Sequence, residues 1–203
     1  MITIIDYGLG NLRSVQKSFE RANLNVKISN DLNEINKADK LVLPGVGHFG
    51  KGMKNLKSSG LIDVLNERVL IKKTPILGIC LGMQLMTKYS EEGNSEGLGW
   101  IDASTIRFQK DVEKKYKVPH IGWNSIDIIN DNPFLNKIKN DSQYYFVHTY
   151  YVLCKNKKEV MTESDYGVKF HSSFQKDNVF GVQFHPEKSF SVGLQMLENF
   201  SKI

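Results

Sequence analysis

Apolar and polar positions along the first half of the chain follow two alternating rhythms. Ile2 to Ile5 form a short continuous apolar run, the pattern of a strand buried on both faces. Leu12, Val15, Phe19 and Ala22 then recur at spacings of three and four, the pattern of a helix with one apolar stripe. The cycle repeats. Val26-Lys27-Ile28 and Lys40-Leu41-Val42-Leu43 read as strands, the second closed by Pro44-Gly45. Leu61 to Val69 reads as a helix, and Thr74 to Ile79 as another buried strand running into a helix from Met83 to Tyr89. Apolar strands alternating with helices predict a parallel sheet covered on both faces.

Beyond Gly99 the texture changes to strands separated by polar turns, as in Tyr144-Tyr145-Phe146-Val147 and the run from Val179 to Phe184, which follows the turn Asp177-Asn178. A last helix is expected from Val192 to Phe200, where Leu194, Leu197 and Phe200 repeat every three residues. The expectation is an α/β fold of three layers around a central, mainly parallel but mixed sheet. No repeat, low-complexity stretch or linker divides the chain, so residues 1–203 read as a single domain.

Composition narrows the class of function. At 203 residues, 40% hydrophobic and 24% charged, the chain has the make-up of a soluble globular core. Its formal charge of +5 is dispersed in short clusters such as Lys155-Asn156-Lys157-Lys158, with no nucleic-acid-binding motif beside them, and reads as a solvated surface. The N-terminus reaches Asp6 without the basic start and long apolar run of a signal peptide, and nothing approaches the ~20 apolar residues of a membrane span. Two cysteines, Cys80 and Cys154, make no disulfide framework. A reducing cytoplasm is the expected compartment, with neither a membrane nor a nucleic acid as partner.

Three short motifs carry candidate chemistry. Gly78-Ile79-Cys80-Leu81-Gly82 lies between an apolar strand and a helix, where a sharp turn exposes a nucleophile and glycines remove β-carbons that would clash. The helix start beyond Cys80 favours negative charge and so the thiolate. The pentapeptide alone is equally consistent with a small buried thiol. His185-Pro186-Glu187 follows the strand ending at Phe184 and offers an imidazole to move a proton and a carboxylate to orient it, although alone it also fits a surface turn. Pro44-Gly45-Val46-Gly47 ends a third strand, and such backbone can aim N–H groups at a developing oxyanion, with the Leu81 N–H as a second donor. All three motifs follow strands of one parallel pattern, and sites in such sheets gather outside the strand carboxyl ends.

Together these residues resemble the class I, or triad, glutamine amidotransferases, and more closely the glutaminase subunits of imidazole glycerol phosphate synthases. The likeness runs from Ile5-Asp6-Tyr7-Gly8-Leu9-Gly10-Asn11-Leu12 through Leu43 to Gly47, Gly78 to Gln84 and Val118-Pro119-His120-Ile121-Gly122-Trp123-Asn124. It ends with Tyr145 to Tyr150 and Gln183 to Ser189, spanning nearly the whole chain. The resemblance implies a flavodoxin-like core, with Cys80 as nucleophile, His185 as general base and then acid, and Glu187 as its orienting partner. It further implies an oxyanion hole around Val46, Gly47 and Leu81, and a glutamine pocket lined by Gln84, Glu92, His148, Thr149 and Tyr150. No metal or organic cofactor is implied. The implied partners are L-glutamine and a barrel-shaped synthase subunit that receives the ammonia, met near Lys188, Tyr145 and Trp123.

His48 and Phe190 depart from the family pattern, where small residues and glycine are common, and are expected near the mouth or the partner face. The resemblance leaves the acceptor open between histidine biosynthesis and amidation of surface-glycan sugars by a synthase-like partner. A cysteine hydrolase of related fold and a catalytically silent subunit are the alternatives from other classes.

Overall fold

The computed structural model describes residues 1–203, apart from the side chains of residues 110 and 113. Strand β1 (Ile2–Ile5), helix α1 (Leu12–Arg21), β2 (Val26–Ser29), α2 (Leu32–Asn36), β3 (Lys40–Gly45), α3 (Phe49–Ser58), α4 (Leu61–Asn66), β4 (Ile76–Cys80) and α5 (Leu81–Leu85) build the alternating half. The strand-rich half comprises β5 (Thr87–Ser90), β6 (Ser95–Glu96), β7 (Ile101–Arg107), the short helix α6 (Lys110–Glu113), β8 (His120–Ser125), β9 (Asp127–Ile128), β10 (Gln143–His148) and β11 (Tyr150–Cys154). It closes with β12 (Val160–Asp165), β13 (Lys169–Lys176), β14 (Val179–Val182) and helix α7 (Phe190–Ser201).

The main sheet has the order β2-β1-β3-β4-β14-β13-β11-β7-β5-β6, with β9 and β12 joined through β13. Its first five strands are parallel and arranged as in flavodoxin-like folds, and mostly antiparallel pairings extend it from β13 onward, β5 lying parallel to β7. Alternation along the core strands assigns their side chains to two faces. Ile4, Val42, Leu77 and Ile79 point into one cluster with Val15 and Phe19 of α1 and Met196, Leu197 and Phe200 of α7. Ile5, Leu41, Leu43 and Ile76 point into another with Leu56 of α3 and Leu61 and Leu65 of α4. The result is the expected three-layer, mixed α/β architecture. Each large side chain buried this way contributes about 1.5–3 kcal/mol.

Three boundaries differ from the sequence pattern. Pro44-Gly45 does not end its strand: β3 stays paired with β4 as far as Gly45 opposite Cys80. Leu41 donates its N–H toward the β4 side, to Pro75 O, so Pro44 turns its missing donor toward β1, whose pairing with β3 stops at Val42. The helix expected to reach Tyr89 stops at Leu85. Thr87 there donates its hydroxyl to Gln84 O and meets the Thr105 hydroxyl at 3.2 Å, and strand β5 begins. The helix expected through Val69 widens into a π-turn over Glu67–Ile71.

Candidate active site

Strand β4 is buried along its whole length and ends at Cys80, whose φ of 53° and ψ of −110° turn the chain directly into α5. A non-glycine residue in such backbone costs about 1–3 kcal/mol and persists only where its surroundings fix it. Here β3 fixes it through the Gly45–Cys80 register, and the flanking glycines let the turn close. A β-carbon on Gly82 would stand 1.7 Å from Leu43 O, and one on Gly78 would stand 2.7 Å from Met83 N.

Beyond β14 the chain runs through Phe184 to His185, whose N–H donates to Tyr145 O at 2.8 Å. Pro186 then starts a single 3-10 turn that folds Glu187 back onto the imidazole. His185 Nδ1 lies 2.7 Å from Glu187 Oε1, and both side chains are 2% exposed. That contact makes Nδ1 the protonated nitrogen and turns Nε2, which has no well-aligned hydrogen bond, into the free working end. Burial pulls the imidazole pKa down. The charge and hydrogen bonding of Cys80, followed by those of Glu187, outweigh it and raise it to about 10. The imidazolium is thus the favoured form of His185 at neutral pH.

One cavity of about 320 Å³ brings together nine of the sequence candidates. Cys80, Leu81, Val46 and Gly47 line the reacting end; Val46 and Gly47 are exposed, and Gly47 holds a left-handed φ of 106°. Gln84, Glu92, His148, Thr149 and Tyr150 line the remainder, with Pro119 and Val147, which the sequence did not single out. His185 and Glu187 stand behind Cys80, outside the lining. Glu92 Oε2 accepts the Phe49 N–H at 2.7 Å, which fixes the carboxylate at the start of α3. His48 is exposed and caps the same helix by accepting the Gly50 N–H at Nδ1.

Hydrogen bonds also fix the tautomer of the cavity wall. His148 Nδ1 must donate to Tyr150 O at 2.8 Å, so its Nε2 accepts from His120 Nδ1 at 2.9 Å. Burial drives both imidazoles to the neutral form, lowering His120 to about 4 and His148 to about 3, the latter helped by the His120 charge. His171 is also lowered by burial. Between pH 6.5 and about 4 the unfolded chain binds protons that these folded histidines refuse. Stability is therefore expected to fall as pH falls through that window, by up to about 1.4 kcal/mol per pH unit for each histidine. His185, with its raised pKa, is charged when folded throughout this range and adds little slope. Urea unfolding at pH 7, 5.5 and 4.5 measures the effect; a midpoint that does not move contradicts the neutral pair.

Trp123 is 45% exposed and meets the Tyr145 ring edge-on at 6.0 Å, while Lys188 Nζ lies 5.4 Å from the centre of the same ring. Phe190 joins this patch, stacked on Trp123 at 5.1 Å with an interplanar angle of 7°. Its φ of 47° is a backbone state that glycine adopts more readily. Three buried groups near the cavity escaped sequence reasoning: Gln183, His120, and Tyr7, whose unpartnered hydroxyl sits where a Gly45 side chain would be. Each lies inside a stretch that carries the family likeness, but nothing local distinguishes it from a core residue. Among the described residues, no group of three or more His, Cys, Asp or Glu is placed to hold a metal ion, and no helix is long and apolar enough to cross a membrane.

The family described as glutamine amidotransferase class-I matches residues 3–203. Curated relatives include the imidazole glycerol phosphate synthase subunits HisH 2 of Methanococcus maripaludis, 48% identical over 100% of this chain and 99% of that protein, and HisH 2 of Pseudomonas aeruginosa, 45% identical over 100% of both. HisH 1 of Campylobacter jejuni is 48% identical over 100% of both. A solved glutamine amidotransferase superposes with a TM-score of 0.77 at 16% identity, covering 99% of this chain and 100% of that one. PurLQS from Thermotoga maritima superposes with a TM-score of 0.74 at 15% identity, covering 99% and 97%. Matched along almost its entire length by the family and by relatives near half-identical, the chain belongs to the class-I glutamine amidotransferases.

Proposed function

We propose that this chain, acting as one domain in the cytoplasm, is the glutaminase subunit of imidazole glycerol phosphate synthase, with Cys80, His185 and Glu187 as its triad. The reading is supported above all by the buried His185–Glu187 pair beside Cys80 at the wall of a single cavity. Glutamine enters with its ammonium toward Glu92 and its carboxamide toward Cys80. The thiolate attacks the carboxamide carbon, and the oxyanion that forms takes hydrogen bonds from backbone N–H groups around Val46, Gly47 and Leu81. His185 gives its proton to the departing nitrogen, ammonia leaves, and a thioester remains. Nε2 then takes a proton from water, whose oxygen attacks the thioester; the tetrahedral intermediate collapses, expelling the thiolate beside the protonated imidazole and releasing glutamate, whose new carboxyl group loses its proton to solvent. Glu187 holds the imidazole in the required tautomer and stabilises its cation throughout.

The ammonia passes to a barrel-shaped synthase subunit. That subunit uses it on a phosphoribulosyl nucleotide to form imidazole glycerol phosphate and an aminoimidazole carboxamide ribotide. Trp123 and Tyr145 offer the aromatic contacts that interfaces favour, with Lys188 held over the Tyr145 ring beside them. Reconstitution with a synthase barrel subunit tests the reading: glutamate and imidazole glycerol phosphate should appear in equal amounts from glutamine and the phosphoribulosyl nucleotide. Glutamine turnover supported by a sugar-nucleotide acceptor, but not by the phosphoribulosyl nucleotide, overturns it.

A further inference from the structure

Gln183 is fully buried, one strand over from Cys80, and has no part in the triad described above. Its amide orientation follows from its neighbours. Gln84 Nε2 donates to Tyr150 O at 2.9 Å, and a carbonyl can only accept, so the nitrogen of Gln84 must be the end that faces it. The second hydrogen on that nitrogen goes to Gln183 at 3.1 Å, which makes the accepting atom Oε1. Gln183 is left with Nε2 toward Cys80, where it donates to Sγ at 3.8 Å. The carbonyl of Tyr150 that anchors this order also accepts from His148, itself held by His120.

The other hydrogen bond of the sulfur has the opposite character. As a thiol, Cys80 donates to Val147 O at 3.8 Å. On ionisation that bond is lost and the carbonyl dipole opposes the charge. The amide N–H of Gln183 is then the neutral donor remaining on the sulfur, and a hydrogen bond to an ionised acceptor is roughly twice as strong as one between neutral groups. We propose that Gln183 holds the Cys80 thiolate, and that the Gln84–Tyr150–His148–His120 chain keeps its amide turned N–H toward sulfur. This rests on Cys80 being the nucleophile.

The test compares the wild type with Gln183→Met, which keeps the volume and removes both bonds, and Gln183→Glu, which keeps an acceptor for Gln84 and removes the donor to sulfur. Iodoacetamide alkylation is followed across pH 5.5–9 in the complex with the synthase subunit. Modified peptides are resolved by mass spectrometry, because Cys154, whose thiol burial pushes up to about 12, must be counted separately. In Gln183→Met, Cys80 alkylation at pH 7 should slow about tenfold and its profile move about one pH unit upward. kcat should fall by a similar factor while KM for glutamine changes less than about twofold. Gln183→Glu should move the profile further in the same direction, since a carboxylate repels the thiolate; it is also the informative variant if Gln183→Met does not fold. An unshifted alkylation profile in a folded variant overturns the role of Gln183 alone. Full turnover with Cys80 blocked overturns the nucleophile itself, so the two failures are distinguishable.

Discussion

Replacing Cys80 by alanine should reduce glutamine turnover on the order of 10⁴-fold or more, leaving only what the oxyanion donors and binding contribute without a nucleophile. The prediction follows from geometry more than from the motif. Cys80 is the only thiol on the cavity wall, and the other cysteine, Cys154, is buried in the opposite core. The measurement is glutamate release in the presence of the synthase subunit and its acceptor. The same preparation supplied with an ammonium salt should still consume the acceptor, which separates a lost nucleophile from a lost complex. Turnover near the wild-type rate would remove Cys80 from the mechanism. Alanine should be well tolerated by the fold, since it only shortens a side chain at a position whose backbone is fixed by β3.

The second large effect is on stability. A methyl group on Gly82 would lie 1.7 Å from Leu43 O, and that oxygen belongs to β3, which has no freedom to withdraw from the middle of the sheet. Gly82→Ala must therefore push α5 off β3, open the turn at Cys80 and disturb the layer holding Leu81, Met83 and Leu85. Overpacking of a well-filled core typically costs 1–3 kcal/mol. An overlap with backbone rather than a flexible side chain should exceed that, at about 4 kcal/mol or more. Gly60→Ala is the control: its nearest neighbour would be 3.8 Å away, so only the left-handed backbone is charged, at about 1–2 kcal/mol. Urea unfolding of the two variants reads the difference, and equal midpoints would show that α5 can move without cost.

The parallel half of the fold was legible because strands such as Ile2–Ile5 and Ile76–Cys80 are near-continuous apolar runs and the first is followed by a helix with a visible stripe. Ile2–Ile5 and Leu12–Arg21 match the pattern almost residue for residue. The other half was legible as strands but not as a sheet. Its pairings join distant segments, such as Ile76 with Val179, and no local signal encodes a partner a hundred residues away. Cys80, His185 and Glu187 stood out because their side chains have few other reasons to follow strands together. Gln183 and His120 did not. An amide or a neutral imidazole acquires its function from the direction in which its neighbours turn it, and Gln84, Tyr150 and His148 become neighbours only in the fold.

The small sheet made by β8 and β10 pairs with none of the twelve strands of the main sheet among the described residues, yet it carries Trp123 and Tyr145 on its outer surface. Its backbone meets the site twice, at an isolated bridge between Tyr145 and His185 and at Val147 O, which accepts from Cys80 Sγ. Mechanically this is a bar laid against the backbone of His185 on one side and the sulfur of Cys80 on the other. Displacement of the ribbon by something pressing on the aromatic patch is delivered to His185 through Tyr145 and to the Cys80 sulfur through Val147, while the register of the main sheet stays where it is. His185 and Cys80 thus share two supports, the paired strands β14 and β4 beneath them and the ribbon beside them, so their spacing is held from two directions.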